Sequence, residues 1–173
     1  MDLSGAISAA TAFIADRESF SPSPYWDVNG YAIGYGNHYY SDGSAVSGDD
    51  DPISQSDAYD LLSFYVAQNV QAIANAITVP LTDNQFAALA SIRYNCGTIT
   101  QTLANLINSG ADPEIVAAQI EVTCATSGGQ PSAVIIARRH IEAELYASGG
   151  VSGSGLWIAA AIAAGVIFWA YEG

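Results

Sequence analysis

The stretch IADRESFSPSPYWDVNGYAIGYGNH, residues 14–38, carries a change of local structure and two carboxylates on either side of it. Upstream, Ile7, Ala10, Phe13 and Ile14 recur at helical spacing, so a helix leads towards Glu18. Pro22 and Pro24 forbid that helix from continuing. From Trp26 onward the glycines and tyrosines of DVNGYAIGYG read as a short hairpin. Glu18 therefore falls near a helix C-terminus, and Asp27, nine positions on, at the root of a small sheet. That layout can face two carboxylates across a cleft. A glycosidic bond suits such a pair. One carboxyl, kept protonated by partial burial, donates to the leaving oxygen, while the ionised partner stabilises an oxocarbenium ion or activates water.

Working outward, three blocks carry a resemblance. The segment ESF, Tyr25–Asp27 and the run AIGYG (Ala32–Gly36) resemble the catalytic segment of phage-type lysozymes, glycoside hydrolase family 24. VPLTDNQFAALASIRYNCG (Val79–Gly97) is similar to that family's central helix, and GGQPSAVIIARRHIEAELY (Gly128–Tyr146) to its closing double-arginine helix. The blocks follow the family's order over roughly residues 5–148. The resemblance implies an α+β lysozyme-like fold, with a small N-terminal β-hairpin lobe and a larger helical lobe joined by a long helix. It implies Glu18 as general acid, Asp27 as the ionised partner, and Arg138 as the residue that orients the acid. Such an arginine by itself lowers the acid's pKa, which burial must counteract. Arg138 could instead pair with Glu142 one helical turn on. Tyr31, Tyr35 and Asn37 are candidate sugar-contacting residues, since aromatic faces and amides suit sugars, with simple sheet packing as the alternative. The implied substrate is peptidoglycan, cut between N-acetylmuramic acid and N-acetylglucosamine, with no cofactor and no metal. Two departures stand out. Ala32 occupies the place where the family has a threonine that helps hold the attacking water. Asn37 separates Gly36 from His38, where the family commonly has the histidine directly after the glycine. An alternative reading follows from Ala32: a weakened lysozyme-like domain serving as a virion structural or peptidoglycan-binding part.

The charge balance is lopsided, with 4 Lys and Arg against 17 acidic residues and a net charge of −13. A surface this negative repels phosphates, so nucleic acid is excluded as a partner. It also repels anionic wall polymers, so electrostatic steering does not bring the chain to a wall. Cys96 and Cys124 are too few for a disulfide framework and form no metal pattern; free thiols are the default and one disulfide the alternative. The N-terminus does not read as a secretory signal. The run Asp49–Asp51 reads as a solvated loop and not as a cation site.

Helices are expected at 4–18 with Ser4 as cap, and at 54–77 behind Ser54 and Asp57. Further helices are expected at 83–95 behind a Thr82/Gln85 capping box, at 98–109, at 113–122 and at 132–147. Then the composition changes. Residues 149–155 form a Gly/Ser linker after a catalytic domain at 1–148. Leu156–Tyr171, LWIAAAIAAGVIFWAY, is apolar on every face and reads as a transmembrane helix with aromatic ends. Its 16 residues reach about 24 Å as a helix, near the lower limit for a span. The expected partners are thus peptidoglycan, a lipid membrane through residues 156–171 and, in a virion, capsid proteins. The expected location is a virion membrane or the host cell envelope.

Overall fold

A computed structural model describes residues 2–127 and 129–149 of the chain. Helix α1 spans Ser4–Ala15. Ser4 is its first residue and not its cap; the Asp2 carboxylate accepts the Ser4 N–H at 3.0 Å instead. A carboxylate at the positive end of a helix also meets the macrodipole, which a serine hydroxyl does less well. The helix ends at Ala15 and not at residue 18, because Arg17 turns back on it. The Arg17 guanidinium lies 3.5 Å from the Phe13 ring centroid and donates to the Phe13 carbonyl at 2.9 Å. Both Arg17 and Glu18 N–H groups bond the Ile14 carbonyl, so Glu18 leaves the helix axis on a tight turn.

Strands β1 (Ser21–Asp27) and β2 (Gly30–Gly34) pair antiparallel across the two-residue turn Val28–Asn29. The register sets Tyr25 opposite Ala32, Trp26 opposite Tyr31 and Asp27 opposite Gly30. Pairing is irregular between Ser21 and Tyr25, where Pro22 and Pro24 lack ladder donors. The Pro22 carbonyl is used all the same, accepting the Ile53 N–H at 2.9 Å. Isolated bridges at Ile33–Asn37 and Tyr39–Ala45 extend this lobe into the following loop.

Helix α2 (Gln55–Ala76) starts behind Ser54, whose hydroxyl accepts the Asp57 N–H at 3.1 Å. Its 22 residues reach about 33 Å. It serves both lobes, because neighbouring helical residues point about 100° apart. Leu61 packs with Ile33 and Val46 under the hairpin, while Leu62, Val66, Val70 and Ile73 enter the main core. Helix α3 (Asp83–Cys96) opens with the Thr82/Gln85 capping box and stops at Gly97, which is left-handed at φ 77°. All residues from Phe86 to Ile92 are buried, since α1, α2 and α6 surround this helix.

Helix α4 (Gln101–Asn108) begins later than residue 98 because Thr100 is the residue that caps it, accepting the Leu103 N–H at 3.2 Å. Helix α5 (Pro113–Val122) follows Asp112 as cap and Pro113 at its first turn. The ribbon β3 (Thr126–Ser127) and β4 (Gln130–Pro131) has strands too short to show a period in the sequence. Helix α6 (Ala133–Ala147) starts behind Ser132. The expected span Leu156–Tyr171, and all but the first residue of the expected linker, lie outside the described residues. Among the described residues no helix is long and apolar enough to cross a membrane.

Cys96 and Cys124 are free thiols. Burial, and next a hydrogen bond with Cys124, push the Cys96 thiol up to about 12. Beside them lies a buried polar cluster. The fully buried Arg139 guanidinium meets the fully buried Glu142 carboxylate on the same helix. Ser91 donates to Glu142 at 2.5 Å, and Arg139 donates to Asn95 at 2.5 Å. Burial raises the Glu142 carboxyl above the usual range, against the opposing pull of Ser91 and Arg139.

Candidate active site

Glu18 and Asp27 come from opposite sides of one short connection. Glu18 sits on the turn after α1, its side chain 23% exposed. Asp27 sits at the hairpin tip, its side chain 47% exposed. The tyrosine between them relates the two. Tyr25 and Asp27 are two positions apart on β1 and so share a face, with Ala32 opposite Tyr25. Burial raises the Tyr25 phenol above its ordinary range, and the negative charges of Asp27 and then Glu18 push it further. Both carboxylates thus act on one phenol, which keeps its proton and can donate it.

Each carboxylate has its own basic neighbour. Arg138 Nη1 donates to Glu18 Oε1 at 2.6 Å from across the molecule. Among the described residues nothing bonds Glu18 Oε2. Arg139, one position on, points about 100° away and takes Glu142 instead. The two arginines divide the roles that the sequence left open between them. Asp27 is held at the tip: its Oδ1 accepts the Val28 N–H at 2.7 Å, and its Oδ2 lies 3.4 Å from His38 Nε2.

Of the residues expected to contact sugar, Tyr31 packs its ring edge-on against Trp26 at 5.3 Å, on the hairpin face away from Tyr25 and Asp27. Tyr35 is buried, its ring against Phe20 and its hydroxyl accepting from Gln55 at 3.2 Å. Asn37 is buried too, and among the described residues nothing bonds its Oδ1. Tyr35 and Asn37 are thus enclosed and Tyr31 is exposed on the other hairpin face, while Tyr25 is the aromatic residue on which both carboxylates act. A strand's alternation carries that signal, since residue 25 must share the face of residue 27.

Behind Glu18, Tyr94 donates to the Tyr35 carbonyl at 2.7 Å. Burial raises its phenol well above the ordinary range, and the Glu18 charge adds to this. A Cβ at Gly36 would lie 3.7 Å from the Tyr94 hydroxyl and 3.8 Å from the Tyr25 hydroxyl. Gly36 itself adopts φ 93°, which disfavours any side chain. The backbone thus passes close beneath the two phenols. Asp50 in the acidic loop is occupied, accepting from Tyr40 at 3.0 Å and from the Ser47 N–H at 2.8 Å. Among the described residues no group of His, Cys, Asp and Glu is arranged to hold a metal.

Removing the Tyr25 hydroxyl isolates its contribution. Tyr25→Phe is expected to lower kcat about tenfold, the scale of one hydrogen bond to a charged group. Tm should stay within about 2 °C of the parent, because the hydroxyl is not part of the core. Steady-state kinetics with a thermal melt checks both. An unchanged kcat would remove the phenol from the site.

Comparison with known proteins follows the same lines. The family model described as phage lysozyme matches residues 15–142, which includes Glu18, Asp27 and Arg138. The structure is similar to the endolysin from Escherichia coli O157:H7 phage FAHEc1, with 31% identity and a TM-score of 0.67, covering 84% of this chain and 93% of that one. It is similar to the muramidase domain of SpmX from Asticaccaulis excentricus, with 28% identity and a TM-score of 0.66, covering 80% and 94%. It shares the fold of the P1 phage endolysin Lyz in its active form, with 18% identity and a TM-score of 0.68, covering 83% and 85%. No curated protein matches. The hairpin lobe, the long helix and the helical lobe are thus those of a lysozyme-like fold. The chain belongs to the phage lysozyme family and is a glycoside hydrolase of the muramidase class that acts on peptidoglycan.

Proposed function

We propose that Glu18 and Asp27 are the catalytic pair and that they cut the β-1,4 bond between N-acetylmuramic acid and N-acetylglucosamine. The observation that carries this is the asymmetry of the two carboxyls around Tyr25. Glu18 is three-quarters buried and fixed through one oxygen, while Asp27 stands half exposed at the hairpin tip. A glycan chain laid over the site strips water from around Glu18, and desolvation favours the neutral form of a carboxyl. Glu18 then donates its proton to the leaving oxygen. Asp27 stays ionised and faces the developing positive charge, or takes a proton from water. Ala32 provides no hydroxyl for that water, and we assign its place to the phenol of Tyr25, the cross-strand partner of Ala32. Muropeptide analysis by mass spectrometry tests the bond assignment. Products that end in reducing N-acetylmuramic acid are expected; reducing N-acetylglucosamine, or cut peptide stems, would overturn it.

We further propose that residues 1–148 form the catalytic domain, 149–155 a linker and 156–171 a membrane anchor. The support is compositional: a Gly/Ser spacer followed by sixteen uncharged, largely apolar residues. An anchor in a virion membrane or the host envelope explains how a chain of charge −13 is brought to an anionic wall. Tethering raises the local concentration without positive charge. Flotation of the full-length chain with phospholipid vesicles tests it, and recovery in the unbound fraction would overturn it. A second reading, a domain that binds wall glycan without cutting it, rests on Ala32 and predicts binding with no release of reducing ends.

A further inference from the structure

His38 is a basic side chain beside Asp27 to which the catalytic pair gives no role. Its ring is held at both nitrogens. Nδ1 lies 2.9 Å from the Tyr31 carbonyl oxygen, and Nε2 lies 3.4 Å from Asp27 Oδ2. A carbonyl only accepts, so Nδ1 must carry a proton in this geometry. The carboxylate also only accepts, so the contact at Nε2 is favourable only when that nitrogen is protonated too. The ring is therefore placed to act as an imidazolium between two acceptors. The backbone supports this placement: the His38 carbonyl accepts the Val46 N–H at 2.9 Å, which ties the residue to the loop behind the hairpin.

The cations of the chain are few, and most have other work. Arg139 is buried with Glu142, Arg93 donates to Asn69, Arg17 covers Phe13, and His140 bonds Glu121. Arg138 and His38 are the two that meet the candidate carboxylates. Among the described residues, Asp27 is the only charged side chain within ion-pair distance of the His38 ring. The acids of the neighbouring loop are turned elsewhere, Asp42 to Ser44 and Asp50 to Tyr40 and Ser47.

We propose that His38 is a positioning residue for the muramidase reaction: as an imidazolium anchored on the Tyr31 carbonyl, it fixes the Asp27 carboxylate from the side opposite the Val28 amide. The proposal rests on Asp27 being the catalytic carboxylate. An aspartate on a hairpin tip rotates freely about χ1 unless both oxygens are engaged. The Val28 amide engages one and His38 the other. The displacement of water or the stabilisation of a cation at the sugar requires one fixed direction of negative charge.

Two substitutions separate the parts of this device. His38→Asn places an amide where Nδ1 was and loses the contact to Asp27. His38→Gln places an uncharged N–H where Nε2 was and donates at every pH. We expect His38→Asn to lower kcat about tenfold with KM nearly unchanged. We expect His38→Gln to keep kcat within about threefold of the parent, because its amide N–H stands where Nε2 stood. In an Asp27→Asn background, His38→Asn should cost nothing more. A His38→Gln variant as impaired as His38→Asn, or an undiminished cost in the Asp27→Asn background, would overturn the proposal, even if His38→Asn folds poorly. Asp27→Asn alone separates the two layers. If it retains wild-type activity, the catalytic assignment fails first; if it is inactive while His38→Asn keeps the parental kcat, only the role of His38 fails.

Discussion

Glu18→Gln is expected to lower the release of reducing ends from peptidoglycan about 10³-fold, within the range for losing a positioned general acid. The substitution keeps the shape of the side chain and the acceptor that Arg138 Nη1 contacts at 2.6 Å. What it removes is the proton that Oε2 would deliver to the leaving oxygen. The fold should be untouched, because Glu18 lies on a turn at the edge of the core and makes no helix bond beyond its backbone N–H to Ile14. Binding should persist as well, so a spin-down assay with insoluble wall separates loss of chemistry from loss of contact. Activity within tenfold of the parent would remove Glu18 from the role of acid. Residual binding with no cutting in the parent itself would favour the non-hydrolytic reading raised by Ala32.

The same residues show why some of the site was legible in the sequence and some was not. Glu18 and Asp27 stand out because a helix must stop between the first and the hairpin that holds the second, and prolines mark the boundary. Arg138 stands out because arginines are scarce in this chain and two are adjacent. Tyr25 needed the strand itself: once residues 21–27 are extended, alternation puts residue 25 on the face of Asp27. His38 needed more. Its contact with Asp27 depends on the loop that returns from Gly34 to Val46, and no local pattern gives the direction of a ring seven residues beyond Tyr31. Residue type alone offers Tyr35 and Asn37 to a sugar; their burial, by packing against Phe20 and by the loop bridge to Ile33, is visible only in the folded lobe.

The helices divide in a similar way. Those led by a side-chain cap in the sequence, behind Ser54, Thr82 and Asp112, begin where the caps place them. Helix α4 shifts because two threonines, Thr98 and Thr100, compete for one role, and only the second has its hydroxyl on the third amide beyond. Helix α1 ends early because a contact one turn back, Arg17 over Phe13, closes the helix before the spacing of the apolar residues would. Caps mark where these helices begin, and short-range contacts of this kind, or a left-handed glycine such as Gly97, mark where they stop.

The strongest effect on stability is expected from Glu142. Its carboxylate is fully buried with Arg139, and Ser91 reaches it from α3. Glu142→Ala leaves the Arg139 guanidinium buried against only Asn95 and the Cys96 sulfur, with its Nε already unpartnered. Breaking a buried pair from one side costs about 3–5 kcal/mol. In a domain of this size that lowers Tm by about 10 °C or more. The ion pair as a whole need not stabilise the fold, since two charges have been taken out of water to make it. Replacing both partners, Arg139→Met with Glu142→Leu, should therefore recover most of the loss, which a simple tally of favourable contacts would not predict. Thermal melts of the two variants decide it: a single substitution within about 1 kcal/mol of the parent, or a double no better than the single, would refute the account. The activity of the double variant carries the second half of the argument. Arg138 shares α6 with this cluster and reaches Glu18 only while the helix keeps its rotation against α3. An apolar pair that restores Tm should then restore cutting too, provided that it seats α6 at the same angle.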